Sequence, residues 1–445
     1  VADYFIKTDG TNFSVDGQDF VMRGIGLGSW MNLEHYMIGI PGSEQLIRQT
    51  LRQTLGAQEA AALLHSYLTC FVGEDDFRYL KSIGINSIRI PVNYHYFLDD
   101  ENPQQLKDEG FLYLDRVAKL CAAYQIYMII DLHAAPGAQN PDWHSDNAVG
   151  IPLFWQYQCF REQAVKIWAH IAAHYRGNPW VGGYDILNEP FFIPDKEDLN
   201  TYYAACIRAI REVDSDHVIF LEGDHFAMDF STLRCLEDAN LALEFHYYPT
   251  VWNPQVMDPD FPEAKRQDIL KETFAKQAAI REKFQRPIWC GELGCEFKKD
   301  NMAFMRGLDQ SMLDLCEASH VSWTLWNYKD AQVMGLAVPK DDSPWMQWTA
   351  PIRQGWTQDK EKDCAQGVLH FLEQSGFSPI SEDLNYQMQF RLRAAFQKIY
   401  CEQLLVPALQ ALSPAQRKAL PTSFQFQNCQ ICKEIESLLR SYTGA

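Results

Sequence analysis

Eight short runs of β-branched or aliphatic residues recur along the chain, each followed by a polar or glycine-containing loop and then a longer stretch of helical periodicity. They begin near Val21 (VMRGIGL), Ser87 (SIRIPV), Tyr127 (YMIIDLH), Gly183 (GYDILNEP), His217 (HVIFLEG), Leu241 (LALEFHYY), Pro287 (PIWCGELG) and Val321 (VSWTLWN). Near-continuous apolar strands alternating with helices are the pattern of a parallel sheet covered on both faces. Eight of them, at a spacing that brackets about 30 residues per unit, predict an α/β chain folded as a (β/α)8 TIM barrel. The residues before Val21, with turns at Gly10 and at Asp16-Gly17, read as a small hairpin closing the bottom of that barrel.

Two segments exceed what a minimal barrel needs. Residues 34–71, after the first strand, contain Gly39, Pro41 and Gly42 and then a helical pattern, EQLIRQTLRQTLGAQEAAALL. This is an elaborated first loop placed to wall the active site. Residues 364–445 are expected to hold the last barrel helix and extra helices packed outside it. No linker rich in Pro, Gly or Ser divides the chain, so residues 1–445 read as one catalytic domain, a size that suits a barrel with insertions.

Charge narrows the partners. With 39 basic and 58 acidic side chains, the net charge of −19 repels phosphate backbones and leaves no basic patch for nucleic acid. No run of 18 apolar residues exists to span a membrane. The 12 cysteines lack the dense spacing of a secreted disulfide scaffold, and the first residues carry no signal-like apolar stretch. Both features favour a reducing, cytoplasmic setting, with a processed, secreted chain as the alternative. Cys429 and Cys432 form a lone C-x-x-C, which reads as two helical thiols rather than a metal site. The oligomeric state is left open.

In a parallel barrel the functional side chains sit at the C-terminal ends of the strands. Nearly every run here ends in a polar or aromatic residue: Arg89 on the second, His133 on the third, Asn188 and Glu189 on the fourth, His246 and Tyr248 on the sixth, Glu292 on the seventh and Trp326 on the eighth. Cleavage of a glycosidic bond needs two carboxyl groups flanking the anomeric carbon. Glu189 and Glu292, 103 positions apart and three barrel units from each other, fit that need. A gap of about 5 to 5.5 Å between them would retain the anomeric configuration, and one of about 6.5 to 9.5 Å would invert it. A zinc site from His133, His144 and His246 lacks the short ligand spacing such sites show, and Gly24, Gly26 and Gly28 read as close-packing glycines, not a dinucleotide fingerprint. Neither a metal nor another cofactor is expected.

The runs ILNEPF and WCGELG, together with SIRIP, DLHAAPG, HYYP and WTLWN, resemble the retaining hydrolases of glycoside hydrolase family 5, over about Val21 to Trp326, and six such motifs in order make a strong match. The resemblance implies that Glu189 is the acid/base and Glu292 the nucleophile. It implies that Asn188 bonds the sugar 2-hydroxyl, that His246 and Tyr248 support the carboxylates, and that Arg89 lies near Glu292. His133 would contact the sugar and Trp326 would form the platform beneath it. Within the family, GLGSWMNLEH and DLHAAPGAQN followed by WHSDN are most similar to the exo-β-1,3-glucanase, β-glucosidase and diglycosidase branch. That branch implies Glu34 as a clamp on a terminal glucose, with Asp146 and Asn147 as a second clamp on the same ring. The chain departs from the branch in its long first loop, in the inserted Pro141-Asp142-Trp143-His144, and in its C-terminal helices.

The expected activity is therefore a retaining β-glycoside hydrolase, exo-acting on β-glucosides or short β-glucans from a pocket walled by the first loop and the Trp143 loop. A diglycosidase or a glycolipid (glucosylceramide-type) β-glycosidase is the alternative, with Met31, Tyr36, Met37 and Ile38 on an apolar side. A carbohydrate-binding barrel without catalysis is the remote one. An acid working near neutral pH needs a raised pKa, which burial of Glu189 and the charge of Glu292 are expected to supply, while Arg89 is expected to keep Glu292 ionised.

Overall fold

A computed structural model describes residues 4–234, 237–296, 301–377 and 381–445. The expected barrel forms. Eight parallel strands close on themselves in chain order: Arg23–Gly26, Ser87–Asn93, Tyr127–Ala134, Val181–Asp185, Val218–Glu222, Leu241–Tyr247, Ile288–Leu293 and Ser322–Leu325. The ring is sealed where Trp323 pairs with Arg23 and Leu325 with Ile25. The last seven of these strands are buried along their whole length, because helices cover the outer face and side chains fill the lumen.

The lumen is layered. At the bottom, Tyr127, Ile129, Val218, Phe220, Ala242 and Trp289 form an apolar floor with Met22, against which Ile6 and Phe13 pack. These two come from a three-stranded antiparallel sheet, Ile6–Asp9, Asn12–Val15 and Gln18–Phe20, so the N-terminal plug has one strand more than a hairpin. Its second turn needs positive φ at Asp16 (51°) and Gly17 (70°), as the Asp-Gly pair predicts. Above the floor the lumen turns polar, with Arg89, Asp131, Asp185, Glu222 and Glu244 all fully buried.

The elaborated first loop contains a short helix, His35–Ile38, and two long ones, Glu44–Leu55 and Ala57–Phe71, broken at Gly56 with φ 83°. The N-terminus of the Glu44–Leu55 helix takes its cap from outside: the Gln45 N–H donates to Asp146 Oδ1 at 2.6 Å. The first loop is thus tied to the third.

The helix that closes the eighth unit is the last one, Lys433–Thr443: Tyr442 donates to Asp314, Arg440 to Ser82 O and Thr443 to Ile83 O, linking it to the helices Met302–Ala318 and Glu74–Ser82 on either side. The extra helices, among them Pro344–Gly355, Gln358–Gln374 and Glu382–Tyr400, lie between the eighth strand and this helix. Lys329, fully buried, ties the insertion down by donating to Phe71 O, Phe424 O and Asp76 Oδ1 at 2.6 to 2.8 Å. Cys429 opens the short strand Cys429–Ile431 and Cys432 precedes the final helix, so the two thiols are not helical neighbours. The described cysteines are free thiols, and no helix among the described residues is long and apolar enough to cross a membrane.

Candidate active site

Strand alternation puts every second side chain into the lumen, and on the second strand that side chain is Arg89. Its guanidinium lies within 3.2 Å of five carboxylates: Glu292 Oε1 at 2.5 Å, Asp185 Oδ2 at 2.8 Å, Glu244 Oε1 at 3.0 Å, and Asp131 Oδ2 and Glu222 Oε1 at 3.2 Å. It also donates to Asn188 Oδ1 at 2.9 Å. One buried cation cannot neutralise five buried anions, so burial drives the pKa values of most of this layer upward. Burial pushes Asp131 up to about 7 and Glu222 and Glu244 well above the carboxylate range, with Arg89 opposing in each case.

Glu292 emerges from this layer at the end of the seventh strand. Arg89 holds its Oε1, and the Tyr248 hydroxyl donates to its Oε2 at 2.9 Å.

Glu189 lies past the end of the fourth strand in left-handed backbone, φ 47°, a strained conformation for a residue with a Cβ. Two bonds hold it there: its N–H donates to Glu222 Oε2 at 2.6 Å, and its carbonyl accepts from Asn140 Nδ2 at 3.0 Å. Its carboxyl is gripped on both oxygens. His246 Nδ1 lies 2.6 Å from Oε1, and His144 Nε2 lies 2.8 Å from Oε2. Burial alone would raise this carboxyl, yet the two imidazoles outweigh it and hold Glu189 well below the ordinary range. That reverses the expectation of a raised pKa, because the expectation left the histidines out. The complementary change is on His144: burial would lower it, but Glu189 lifts it to about 9.

An oxygen of Glu189 and an oxygen of Glu292 come within 4.8 Å of each other, with a His246 nitrogen inside the same distance. Trp326 lies beside them, 3% exposed, its ring parallel to that of His133 at 5.8 Å. The first strand makes room for the indole with glycines. A Cβ on Gly26 would stand 2.5 Å from Trp326 Cε3, and one on Gly28 would stand 2.6 Å from Cζ2. His133 is held by Asp131 at 2.7 Å and kept neutral by burial, while its Nε2 faces Glu34 Oε1 at 3.7 Å. Glu34 therefore does reach the site from the first loop, and burial raises its carboxyl well above the usual range.

Asp146 and Asn147 do not join this group. Asp146 gives Oδ1 to Gln45 N–H and Oδ2 to His95 and Asn93, and Asn147 bonds Asn140 O, Val149 N–H and Gly150 N–H. Asp146 ties the third loop to the first, and Asn147 braces the third loop internally. Of the first-loop apolar residues, Met31 and Ile38 belong to the main core, Met37 packs beneath Trp326, and Tyr36 is half-buried against Trp143.

Asp131, Asp185, Glu222, Glu244, Gln139, Asn140 and the bond from His144 to Glu189 were not singled out from sequence. Two signals were available. Glu222 ends the fifth run, so the strand-end rule already covered it. Asp131 and Glu244 stand two residues before His133 and His246 and share their face by alternation. Asn140 and Gln139 act through loop geometry: Gln139 Nε2 donates to both His133 O and Asn188 O at 2.7 Å, clipping the third loop to the fourth.

Two groups among the described residues bring ligand atoms within 4.8 Å, Glu189–His246–Glu292 and Glu222–Glu244–His246; the trio His133, His144 and His246 is not among them. Arg89 touches Glu292, Glu222 and Glu244, so both groups already have a fixed cation among them.

A closed parallel barrel whose mouth carries facing carboxylates, imidazoles and a flat indole places the chain among the barrel hydrolases of glycosidic bonds. A family model described as cellulase (glycosyl hydrolase family 5) matches residues 58–332. The chain belongs to glycosyl hydrolase family 5 and is an O-glycosyl hydrolase. It is 36% identical over 355 residues to a protein named Beta-xylosidase from Phanerodontia chrysosporium, covering 77% of this chain and 74% of that one. It is 24% identical to Probable glucan 1,3-beta-glucosidase A of Aspergillus niger over 294 residues, 64% of this chain and 68% of the relative. The crystal structure of endoglucanase Cel5A from Thermotoga maritima has the same fold, with a TM-score of 0.51 at 18% identity over 71% of this chain and 91% of that one.

Proposed function

We propose that the protein is a retaining β-glycosidase, exo-acting on β-glucosides or short β-glucans, with Glu292 as nucleophile and Glu189 as acid/base. The observation that carries this reading is the approach of one oxygen of each glutamate to within 4.8 Å, a close pairing that suits direct attack by one carboxylate better than the wider gap of an inverting pair. Glu292 Oε2 attacks the anomeric carbon while Glu189 protonates the departing oxygen. Glu189 then takes a proton from the water that releases the sugar from Glu292, which restores both groups. Arg89 and Tyr248, one on each oxygen of Glu292, fix its line of attack. The Nδ2 of Asn188, buried and without a partner, is a donor left free for the sugar 2-hydroxyl. Trp326 offers a flat face to the ring, and Glu34 and His133 reach its hydroxyls from one side.

Exo action is supported by enclosure. Trp143 stacks on His35 of the first loop at 4.2 Å and lies under Arg393 of the C-terminal helix Glu382–Tyr400 at 5.0 Å. Three separate segments thus close one side of the site, the shape of a pocket rather than an open groove. The diglycosidase and glycolipid alternatives share this chemistry and differ only in the leaving group.

A second reading replaces the glucosyl ring by a xylosyl ring, favoured by the name of the Phanerodontia relative. Both readings are tested with a 2-deoxy-2-fluoro-β-glycosyl fluoride of each sugar, followed by peptide mass spectrometry. Covalent label on Glu292 from one of the two sugars supports the mechanism and names the ring. Label on another residue, or none from either sugar, contradicts it.

A further inference from the structure

We propose that His144 is the proton-holding partner of Glu189, a positioning residue that keeps the acid's proton beside the leaving-group oxygen and hands it to the carboxyl when substrate displaces the contact. This rests on the assignment of Glu189 as the acid/base.

The geometry singles out His144 because the two oxygens of Glu189 are not equivalent. Oε1 is taken by His246, whose side chain is 1% exposed and wedged between Glu222 and Glu244 at 3.6 and 3.4 Å. A leaving group cannot enter there. Oε2 is taken by His144, 11% exposed, from the inserted Pro141-Asp142-Trp143-His144 loop. To donate its proton to a glycosidic oxygen, Glu189 must release the bond to His144.

Asn140 makes both proton positions available. Its Oδ1 accepts from Asp142 N–H at 3.0 Å, which fixes the orientation of the amide, so Nδ2 is the atom facing Glu189 O at 3.0 Å and His144 Nε2 at 2.9 Å. An amide N–H aimed at Nε2 stabilises the lone pair of the neutral ring, the state in which the proton sits on Glu189. The carboxylate aimed at the same nitrogen stabilises the protonated ring. Nε2 therefore lies between one donor and one acceptor, and a single proton can sit on either side of the 2.8 Å contact. The transfer balances: protonated His144 and carboxylate Glu189 become neutral His144 and carboxylic acid Glu189, with no change in net charge. The other groups facing His144 include Glu34 and His35 from the first loop, Asp142 and the Trp143 ring at 5.8 Å from its own loop, the ring of His133 at 5.7 Å and the ring of Phe226 at 6.2 Å. The two acids favour the cationic ring, consistent with its rise to about 9. A carboxyl held well below its usual range is a poor resting acid, and the stored proton on His144 resolves that conflict.

The test uses the full chain with β-glycosides of graded leaving groups: methyl, p-nitrophenyl and 2,4-dinitrophenyl. The last needs little acid assistance. His144→Gln keeps a hydrogen-bonding side chain but cannot hold the proton. The expected result is a loss in kcat/KM at least about tenfold larger for the methyl than for the dinitrophenyl glycoside. The basic limb of the pH profile is expected to move to lower pH by about one unit or more. An equal loss for all leaving groups with an unmoved basic limb overturns the proposal. His144→Ala with added imidazole gives a second reading: recovery confined to the poor leaving groups supports it, and recovery of none or of all alike contradicts it. Glu189→Gln separates the failures. If it too responds uniformly, the assignment of Glu189 falls; if it responds selectively while His144→Gln does not, only the role of His144 falls.

Discussion

Gly291 leaves the space that the Glu244 carboxyl occupies: a Cβ at position 291 would stand 1.6 Å from Glu244 Oε1. Glu244 is thereby allowed to reach Arg89 at 3.0 Å, and Arg89 in turn holds Glu292, the neighbour of that glycine. The Gly-Glu pair in the seventh strand is one device, in which the glycine admits the buried acid that helps position the guanidinium. Gly291→Ala must push the fully buried Glu244 side chain aside. The expected cost is about 1 to 3 kcal/mol in urea unfolding, together with a fall in kcat larger than the rise in KM, because the groups moved are those around Glu292.

Asp309, on the helix Met302–Ala318, is fully buried beside Cys295, and burial raises its carboxyl to about 8. An unfolded Asp titrates near about 3.9, so between these values the folded chain binds the extra proton. Stability contributed by this group is therefore present at low pH and is lost as pH rises from about 4 through about 8, by up to about 1.4 kcal/mol per unit. Asp309→Asn imitates the neutral acid and removes that slope. Urea unfolding at about pH 5 and about pH 8 should show the variant gaining on the wild type as pH rises; a constant difference would show that the carboxyl is ionised throughout.

Trp326 lies flat only because Gly26 and Gly28 have no side chain beneath it. Gly28→Ala tilts the indole toward the space the sugar would fill. The expected outcome is a KM for p-nitrophenyl β-D-glucoside raised about tenfold, the loss of about 1.4 kcal/mol of stacking, with the pH profile unmoved because no titrating group is disturbed. A changed pH profile with constant KM would place Trp326 away from the ring.

Much of the barrel was legible because its strands are short apolar runs with sharp ends, and each observed strand starts within two residues of the run that announced it. Glu189, Glu292, His246 and Tyr248 could be found as polar residues at or just past the ends of such runs, whereas Arg89 sits third of the seven residues of its strand and not at its end. Asp185 and Glu222 close their strands and Glu244 shares a face with His246, so position alone could have flagged them; what no local pattern shows is that Arg89 gathers all three into one buried layer. Asp146 caps the Glu44–Leu55 helix, a contact between two distant loops that no local pattern encodes. The same holds for the chain's last helix. Helical periodicity shows that Lys433–Thr443 is a helix but not that it, rather than one of the helices before it, closes the eighth unit.

The measurement that tests the account most directly is proton NMR of the first anomer released from p-nitrophenyl β-D-glucoside, or from the xyloside if that is the sugar accepted. Carboxyl oxygens of Glu189 and Glu292 within 4.8 Å of each other predict that the β-anomer appears first and mutarotates later. Initial release of the α-anomer would mean that a water attacks from between the carboxyls, and would contradict the assignment of Glu292 as nucleophile.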